Sequence, residues 1–593
     1  MSINVGEVVS VRGTQITLTV HEESNLETLF YNGKKFKGIS IREYIGIKRG
    51  FCIVVCNIEG EYLDEKLFEA ESNRIRYIRK VEVKPIGYIE RDIFFDGIKV
   101  MPMIKDQAYL LSESQISKIF SQDNDGQFSI GSLLKEDVRI SLPWEKLFNS
   151  HIGIFGNTGS GKSNTLTKIY TELFRLFEQT MTGKSSFLLI DFNGEYTGNQ
   201  LISDENNKKT YNLSTRTSEG GDKFPLPSSN IWNTEILSLL FQATANTQTP
   251  FINRVVEGRE RYNQNPNSLE NYLKKIFEKC FSTTSQRRES LSQLKVIAKK
   301  INCTNLENEL DKIYWYNNGE KYYHIHNGIY RYFNGSKEEY NQILGATVNA
   351  ITISNIDAFD ELIVRINLQL LGDMALGYVQ YEHIQPLLKR VESAIGDLKK
   401  VITVSDDLEV NILNVISLRD CNQSTKKIFP LLLAKMFYQS HRYAVQNPPN
   451  KTLHFIIDEA HNILSQQSSR EHETWKDYRL EMFEEIIKEG RKFGMYLTLS
   501  SQRPADISPT IMSQIHNFFI HRLVNEKDLF LIDNTISTLD RMSKSLIPNL
   551  SKGCCIVTGT AFDIPITMQV DKLVDGRRPD SDDVDIKLLW SVD

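Results

Sequence analysis

The chain has 593 residues, 40% of them hydrophobic and 24% charged, with a formal net charge of -5. That length implies several domains with sizeable cores, and the slight acidity excludes a generally basic, histone-like binder; nucleic-acid contacts must come from local basic loops or from charge gathered by assembled subunits. The seven cysteines are scattered without a C-x-x-C pair, which argues against a disulfide scaffold or a zinc site and fits a reducing cytoplasm.

The opening MSINVGEVVS lacks the basic region and apolar run of a secretion signal. No apolar stretch approaches the roughly 20 residues of a spanning helix, so a soluble cytoplasmic protein with no membrane contact is expected. Residues 1–100 read as short strands. "VGEVVSVRGTQITLTV" alternates apolar and polar residues around Gly13, and "FCIVVCNI" and "VEVKPIGYI" continue the pattern, which predicts a small β-barrel or sandwich. Residues 101–145 form a less regular connecting segment.

From 146 the pattern becomes apolar strand followed by long helix. "HIGIFG" and "SSFLLIDF" lie in a first part, 146–230; "TLHFIIDEA" and "GMYLTLSSQ" lie in a second, 401–570. Such runs predict an α/β domain with a mostly parallel sheet covered on both faces. Between them, 231–400 has helical periodicity, as in "LENYLKKIFEKCF", and reads as a helical insertion. Inside it, "YWYNNGEKYYHIHNGIYRYFNGS" alternates aromatics around His326-Asn327-Gly328, which predicts a β-hairpin with an Asn-Gly turn. Its tyrosines either stack on bases or a partner, or pack across strands onto the helices. The segment 571–593 reads as a tail that docks on a neighbouring subunit.

Chemistry concentrates at the ends of the apolar strands. Gly156-Asn157-Thr158-Gly159-Ser160-Gly161-Lys162-Ser163, followed by Asn164, fits G-x-x-x-x-G-K-[ST] between a strand and a helix. The glycines let backbone N–H groups turn towards phosphate oxygens, and the helix start adds its positive end. Lys162 is placed to reach the β- and γ-phosphates of ATP, and Ser163 to ligate Mg²⁺. In "LHFIIDEAHNIL", Asp458 is the second expected Mg²⁺ partner, and Glu459 is placed to polarise the attacking water. Gln502 in "LSSQRP" is a candidate sensor of the γ-phosphate or the water, because ligands of α/β sheets sit at the carboxyl ends of strands. In "LLIDFNGEY", Asp191 and Glu195 are either a second catalytic carboxylate site or a structural turn. Arg491 in "KEGRKFG" is either an arginine finger for a neighbour's ATP or favourable charge at a helix end.

"IFGNTGSGKSNT", "LLIDFNGEY", "FIIDEAHN", "EGRKFG", "SQRPADISPTIMSQIHNFFIHRL" and "KGCCIVTG" stand in the order found in HerA-type ATPases of the HerA–FtsK group, which this sequence resembles over about 145–570. The N-terminal strands are similar to that family's small barrel. The resemblance implies a RecA-like P-loop ATPase core, a homo-hexameric ring with duplex DNA through its pore, ATP and Mg²⁺ as cofactors, and Arg491 reaching across the subunit interface. Lys162, Ser163, Asp458, Glu459 and Gln502 match the family's nucleotide-site positions. "DFNGEY" departs from the commoner Asp-Pro-His-Gly-Glu-Tyr, which leaves the role of the loop after Asp191 open. The function implied is an ATP-driven DNA translocase or helicase-type motor, working with a separate effector in DNA-end processing or anti-phage defence. The alternative is a ring-shaped scaffold that regulates a nuclease or sirtuin-like NAD hydrolase. A conjugation-type motor fits less well without a membrane segment. Lys208 and Lys209, in "SDENNKKTYNLSTR", either face the pore or belong to a solvated loop.

Overall fold

The computed structural model describes residues 3–24, 28–31, 34–68, 74–120, 128–135, 138–216, 221–262, 264–326, 328–353, 355–407, 409–467, 473–580 and 589–590. Residues 581–588 and 591–593 of the expected docking tail, and Asn327 of the expected Asn-Gly turn, lie outside them. No helix among the described residues is long and apolar enough to cross a membrane. The chain forms two compact units, one of Met1–Thr210, Val410–Ser417 and Tyr438–Asp593, the other of Tyr211–Glu409 and Leu418–Phe437.

The first unit begins with a closed barrel. Its strands run in the order Asn4–Arg12, Gln107–Leu110, Tyr44–Arg49, Cys52–Phe68, Arg74–Glu90 and Gln15–Val20, and the last pairs back with the first. The alternation seen in the sequence places Val5, Val8, Ile16, Leu18, Val54 and Val83 in the interior. The strand Gln107–Leu110 lies past the expected boundary at 100. Four residues are too few to show a period, and it is pairing with strands on both sides that makes them part of the wall.

The rest of the first unit is built on a mixed sheet. Gly131–Leu133, from the connecting segment, forms one edge, followed by Ile566–Val570, Cys554–Gly559, Asn517–Ile520, Ile152–Phe155, Met495–Ser501, Thr452–Ile457, Ser185–Asp191 and Leu413–Asp420. From Asn517–Ile520 to Leu413–Asp420 all pairings are parallel. These strands are buried on both faces, which is why they read as continuous apolar runs and not as alternation. Parallel pairing also puts the residues that follow Phe155, Asp191, Ile457 and Ser501 on one edge of the sheet. This α/β P-loop architecture is the one the sequence predicts.

The second unit is helical, with long helices at Gln248–Arg261, Ser268–Phe281, Arg288–Lys300, Ala358–Leu376 and Tyr381–Val401. It starts at Tyr211 and not at 231, because Phe224–Leu226 pairs with Ile402–Val404 inside it. The aromatic stretch forms the expected hairpin, Lys321–His326 paired with Ile329–Tyr332, and adds a third strand, Ile313–Tyr316. The packing reading holds for one face of it. Ile313, Tyr322 and Phe333 are buried against Phe277, Phe281 and Leu294, while Tyr314, Tyr316, Tyr330 and Tyr332 are exposed.

Candidate nucleotide-hydrolysis site

After the strand Ile152–Phe155 the chain turns through Gly156–Gly161 and enters the helix Lys162–Met181. Gly159 and Gly161 have φ of +75° and +110°, in the region that favours glycine. Space excludes a side chain as well: a Cβ on Gly161 would stand 2.9 Å from Gly553 Cα, and one on Gly156 2.5 Å from His521 Cβ. The loop is held from behind by the N–H of Gly553 donating to Ser160 O at 2.8 Å, and by Asn157 N–H donating to Arg522 O at 2.9 Å. The result is a preformed cradle of N–H groups at the start of a 20-residue helix. Asn164 is occupied elsewhere. Its side chain bonds Asp571 O and the N–H of Leu573, which anchors that segment to the helix.

Lys162 points its ammonium at the acidic strand end, 3.0 Å from Glu459 Oε1 and 4.0 Å from Asp458 Oδ1. Burial by itself would lower the lysine pKa, but the two carboxylates hold it above the ordinary value. Asp458 is fully buried; its Oδ2 accepts the Tyr196 hydroxyl at 3.3 Å, and its Oδ1 has no hydrogen bond. Glu459 has φ of +49°, unusual for a residue with a side chain. Its neighbours explain this conformation. Asp458 N–H donates to Ile190 O on one flanking strand and Ala460 N–H to Ser500 O on the other, so Glu459 is forced between two fixed points. Such strain costs on the order of 1–3 kcal/mol and holds the carboxylate towards Lys162.

The loop after Asp191 holds its two carboxylates differently. The Asp191 carboxylate accepts backbone N–H groups from Asn193, Gly194, Glu195 and Tyr196, at 2.7 to 3.2 Å, and is the structural cap of the turn. Glu195 is buried, accepts from Asn193 Nδ2 at 3.2 Å, and leaves Oε2 without a hydrogen bond. Burial, and then the charge of Asp458, push its pKa up to about 7, with the Ser163 hydroxyl acting the other way. Gln502 lies beside the cradle, its Oε1 accepting from the Thr158 hydroxyl.

Arg491 is placed differently. It is exposed, in the turn Gly490–Phe493 that precedes the strand Met495–Ser501, with Nη1 3.5 Å from His516 Nε2. His516 in turn precedes the strand Asn517–Ile520. The register Ile152↔Thr498 and Phe155↔Ser501 therefore sets Arg491 at the amino edge of the sheet and the cradle at the carboxyl edge. At ~3.3 Å per residue, a seven-residue strand separates them by about 20 Å.

Residues 128–371 match the family model described as helicase HerA, central domain. A probable helicase of Methanocaldococcus jannaschii is 23% identical over 89% of this chain and 83% of its own. The DNA double-strand break repair helicase HerA of Saccharolobus solfataricus is 21% identical over 98% of this chain and 94% of that one. The chain is a P-loop ATPase that is similar to the HerA helicases. Among solved structures, the plasmid coupling protein TrwB in complex with a non-hydrolysable GTP analogue aligns with a TM-score of 0.43 and 12% identity, over 79% of this chain and 95% of that one.

The donors of this nucleotide site fit a Mg²⁺ ion bound along with nucleotide. Asp458 Oδ1 is a buried carboxylate oxygen without a hydrogen bond, and Ser163 lies in the first turn of the helix that Lys162 begins. Among the described residues no group of three or more His, Cys, Asp or Glu could hold a metal alone. The sequence reading missed Tyr196, although "GEY" was in view, because only the fold brings its hydroxyl to Asp458. It also missed His461, whose Nδ1 is 3.3 Å from Glu459 Oε2 and 3.3 Å from Ser501 Oγ; burial lowers its pKa, so it is neutral near pH 7. His521, buried behind the cradle, is likewise kept neutral by burial, its pKa lowered to about 4. Lys208 does not stand free in a loop: its ammonium donates to the carbonyls of Tyr196, Gly198 and Gln200, and burial lowers its pKa to about 8.

Glu195 makes a pH prediction. Its folded pKa, about 7, lies above the ordinary 4.5, so its contribution to stability is complete below 4.5 and is lost as pH rises through 7. Urea midpoints of the nucleotide-free protein are expected to fall from pH 5 to pH 8, and by less in Glu195→Gln. Equal slopes for the two proteins would refute this.

Proposed function

We propose that the chain is the subunit of a homo-hexameric, Mg²⁺-dependent ATP motor that moves duplex DNA through its central pore. The observation that carries this reading is the separation of Arg491 from the cradle of its own chain: a guanidinium at the amino edge serves a nucleotide only on another subunit. The relatives named as DNA double-strand break repair helicases support DNA as the substrate. The motor would work in the cytoplasm, where its seven free cysteines stay reduced, with a separate nuclease or sirtuin-like NAD hydrolase in DNA-end processing or anti-phage defence.

In this mechanism Lys162 exchanges Glu459 for the β- and γ-phosphates when ATP enters. Glu459 is thereby released to orient and deprotonate the attacking water, a role worth about 10²–10⁴ in rate. Asp458 and Ser163 would hold Mg²⁺, which offsets charge on the phosphates. Gln502, released from Thr158, would report on the γ-phosphate, and the neighbour's Arg491 would stabilise charge on the transferred group. Until ATP arrives, the general base stays paired with the lysine.

Measuring ATP hydrolysis with duplex DNA, with the effector and with both tests the proposal. DNA is expected to stimulate turnover, and raised salt to weaken the effect through counterion release. A ring that ignores DNA and answers only to a protein partner would sink the translocase reading and leave a regulated scaffold. Because Lys208 is held by carbonyls, Lys209→Ala is the more informative of the two loop variants.

A further inference from the structure

Away from the nucleotide site, a cavity of about 150 Å³ lies where the barrel wall meets the strands and helix that close the ATPase core. Arg42 enters it from the barrel. Its backbone has φ of +79° and is fixed by its N–H donating to Ile58 O at 2.8 Å. Its guanidinium has no ion-pair or hydrogen-bond partner among the described residues. The carboxylates on the same wall have other partners there, and Lys84 and Lys135 line it too. Glu59 faces Lys84 at 4.0 Å, and Asp540 accepts the N–H of Ser543 at 3.2 Å. Asn57 Oδ1, also on the wall, is buried without a hydrogen bond. Tyr44, Ile86, Leu546 and Ile564 supply the apolar remainder.

A cation without a counter-charge, a buried acceptor without a donor and an apolar floor together specify a ligand. We propose that this cavity is a second ligand site, taking a small carboxylate or phosphate that has an apolar body and a hydroxyl or amine. The anion would lie on the planar fork of Arg42, the donor on Asn57 Oδ1, and the body against Tyr44 and Leu546. The size agrees, since a cavity of about 150 Å³ holds one benzene ring.

The site has a route to the motor. Arg541–Leu546 continues through Ile547–Asn549 to Gly553, whose N–H bonds Ser160 O in the nucleotide cradle. Pro548 O on that path accepts Arg522 Nε at 3.1 Å, and Arg522 O accepts Asn157 N–H of the cradle. A ligand that ties the barrel to this helix therefore acts on the segment backing the phosphate loop.

The test uses the full chain saturated with Mg²⁺ and a non-hydrolysable ATP analogue, so that the nucleotide site cannot take the probe. Calorimetric titration with 4-hydroxybenzoate and with 4-hydroxyphenyl phosphate compares the two anions, and 4-hydroxybenzamide is the neutral control. One of the anions is expected to saturate a single site per chain, with the benzamide and the Arg42→Gln variant each about tenfold weaker or worse. Met542→Trp, which fills the cavity, is expected to abolish binding of the probe while nucleotide affinity stays unchanged. Binding by neither anion, or equal binding to Arg42→Gln, would overturn the site. In a separate assay with ATP, saturating probe is expected to change wild-type turnover by about fivefold and to leave Arg42→Gln unaltered; unchanged turnover despite binding would overturn its coupling to the motor.

Discussion

Lys162→Ala is expected to bring ATP turnover down to the level of a protein-free control, whereas Glu459→Gln is expected to bind ATP normally and lose about 10²–10⁴ in turnover. The two changes remove opposite members of one buried pair with different consequences. Without the lysine, Asp458 and Glu459 are left close together and buried with no cation. Breaking such a pair from one side costs about 3–5 kcal/mol, so the nucleotide-free Lys162→Ala protein is also expected to melt earlier. Glutamine at 459 keeps an oxygen for Lys162 to donate to, which preserves the fold and the cradle, but it cannot take a proton from water. Equilibrium binding of a labelled ATP analogue, set against phosphate release, separates the two outcomes. Wild-type turnover in Glu459→Gln would transfer the base to Glu195, the other buried carboxylate near Ser163.

Arg491→Ala is expected to bind ATP and fold as the wild type does, yet lose about 10³–10⁵ in turnover, the range of an arginine finger. Its side chain is exposed and its contact to His516 is long at 3.5 Å, so little stability depends on it. Mixing gives the decisive measurement. Arg491→Ala rings have intact cradles, and Lys162→Ala rings have intact arginines. When subunits exchange at random in a closed ring, about a quarter of the interfaces combine one intact member of each kind, and turnover should reappear at that level. No recovery after demonstrated exchange would count against action in trans and assign Arg491 to the structural role of charge at a helix end.

The features legible from the sequence are those fixed by neighbours along the chain. Strand, glycine turn, Lys162, Ser163 and helix form one local unit whose residue types are dictated by backbone N–H groups facing phosphate. Asp458 and Glu459 are visible because an acidic pair at the end of an apolar strand has few other uses, and barrel strands show in their alternation. Tertiary structure decided whatever depends on register between distant segments. Asp191 and Glu195 are similar carboxylates four positions apart, and only the turn's N–H groups, all directed at Asp191, set the two apart. Gln107–Leu110 becomes a barrel strand because two strands accept it, and no period in four residues could announce that. The left-handed backbone of Glu459 follows from hydrogen bonds to strands on both sides. Lys208 and Arg491 were read as basic residues of undecided duty. Three carbonyls committed the first to its own loop. Parallel pairing put the second a strand's length from its own cradle, because register sets which edge of a sheet a residue occupies while composition sets only its charge.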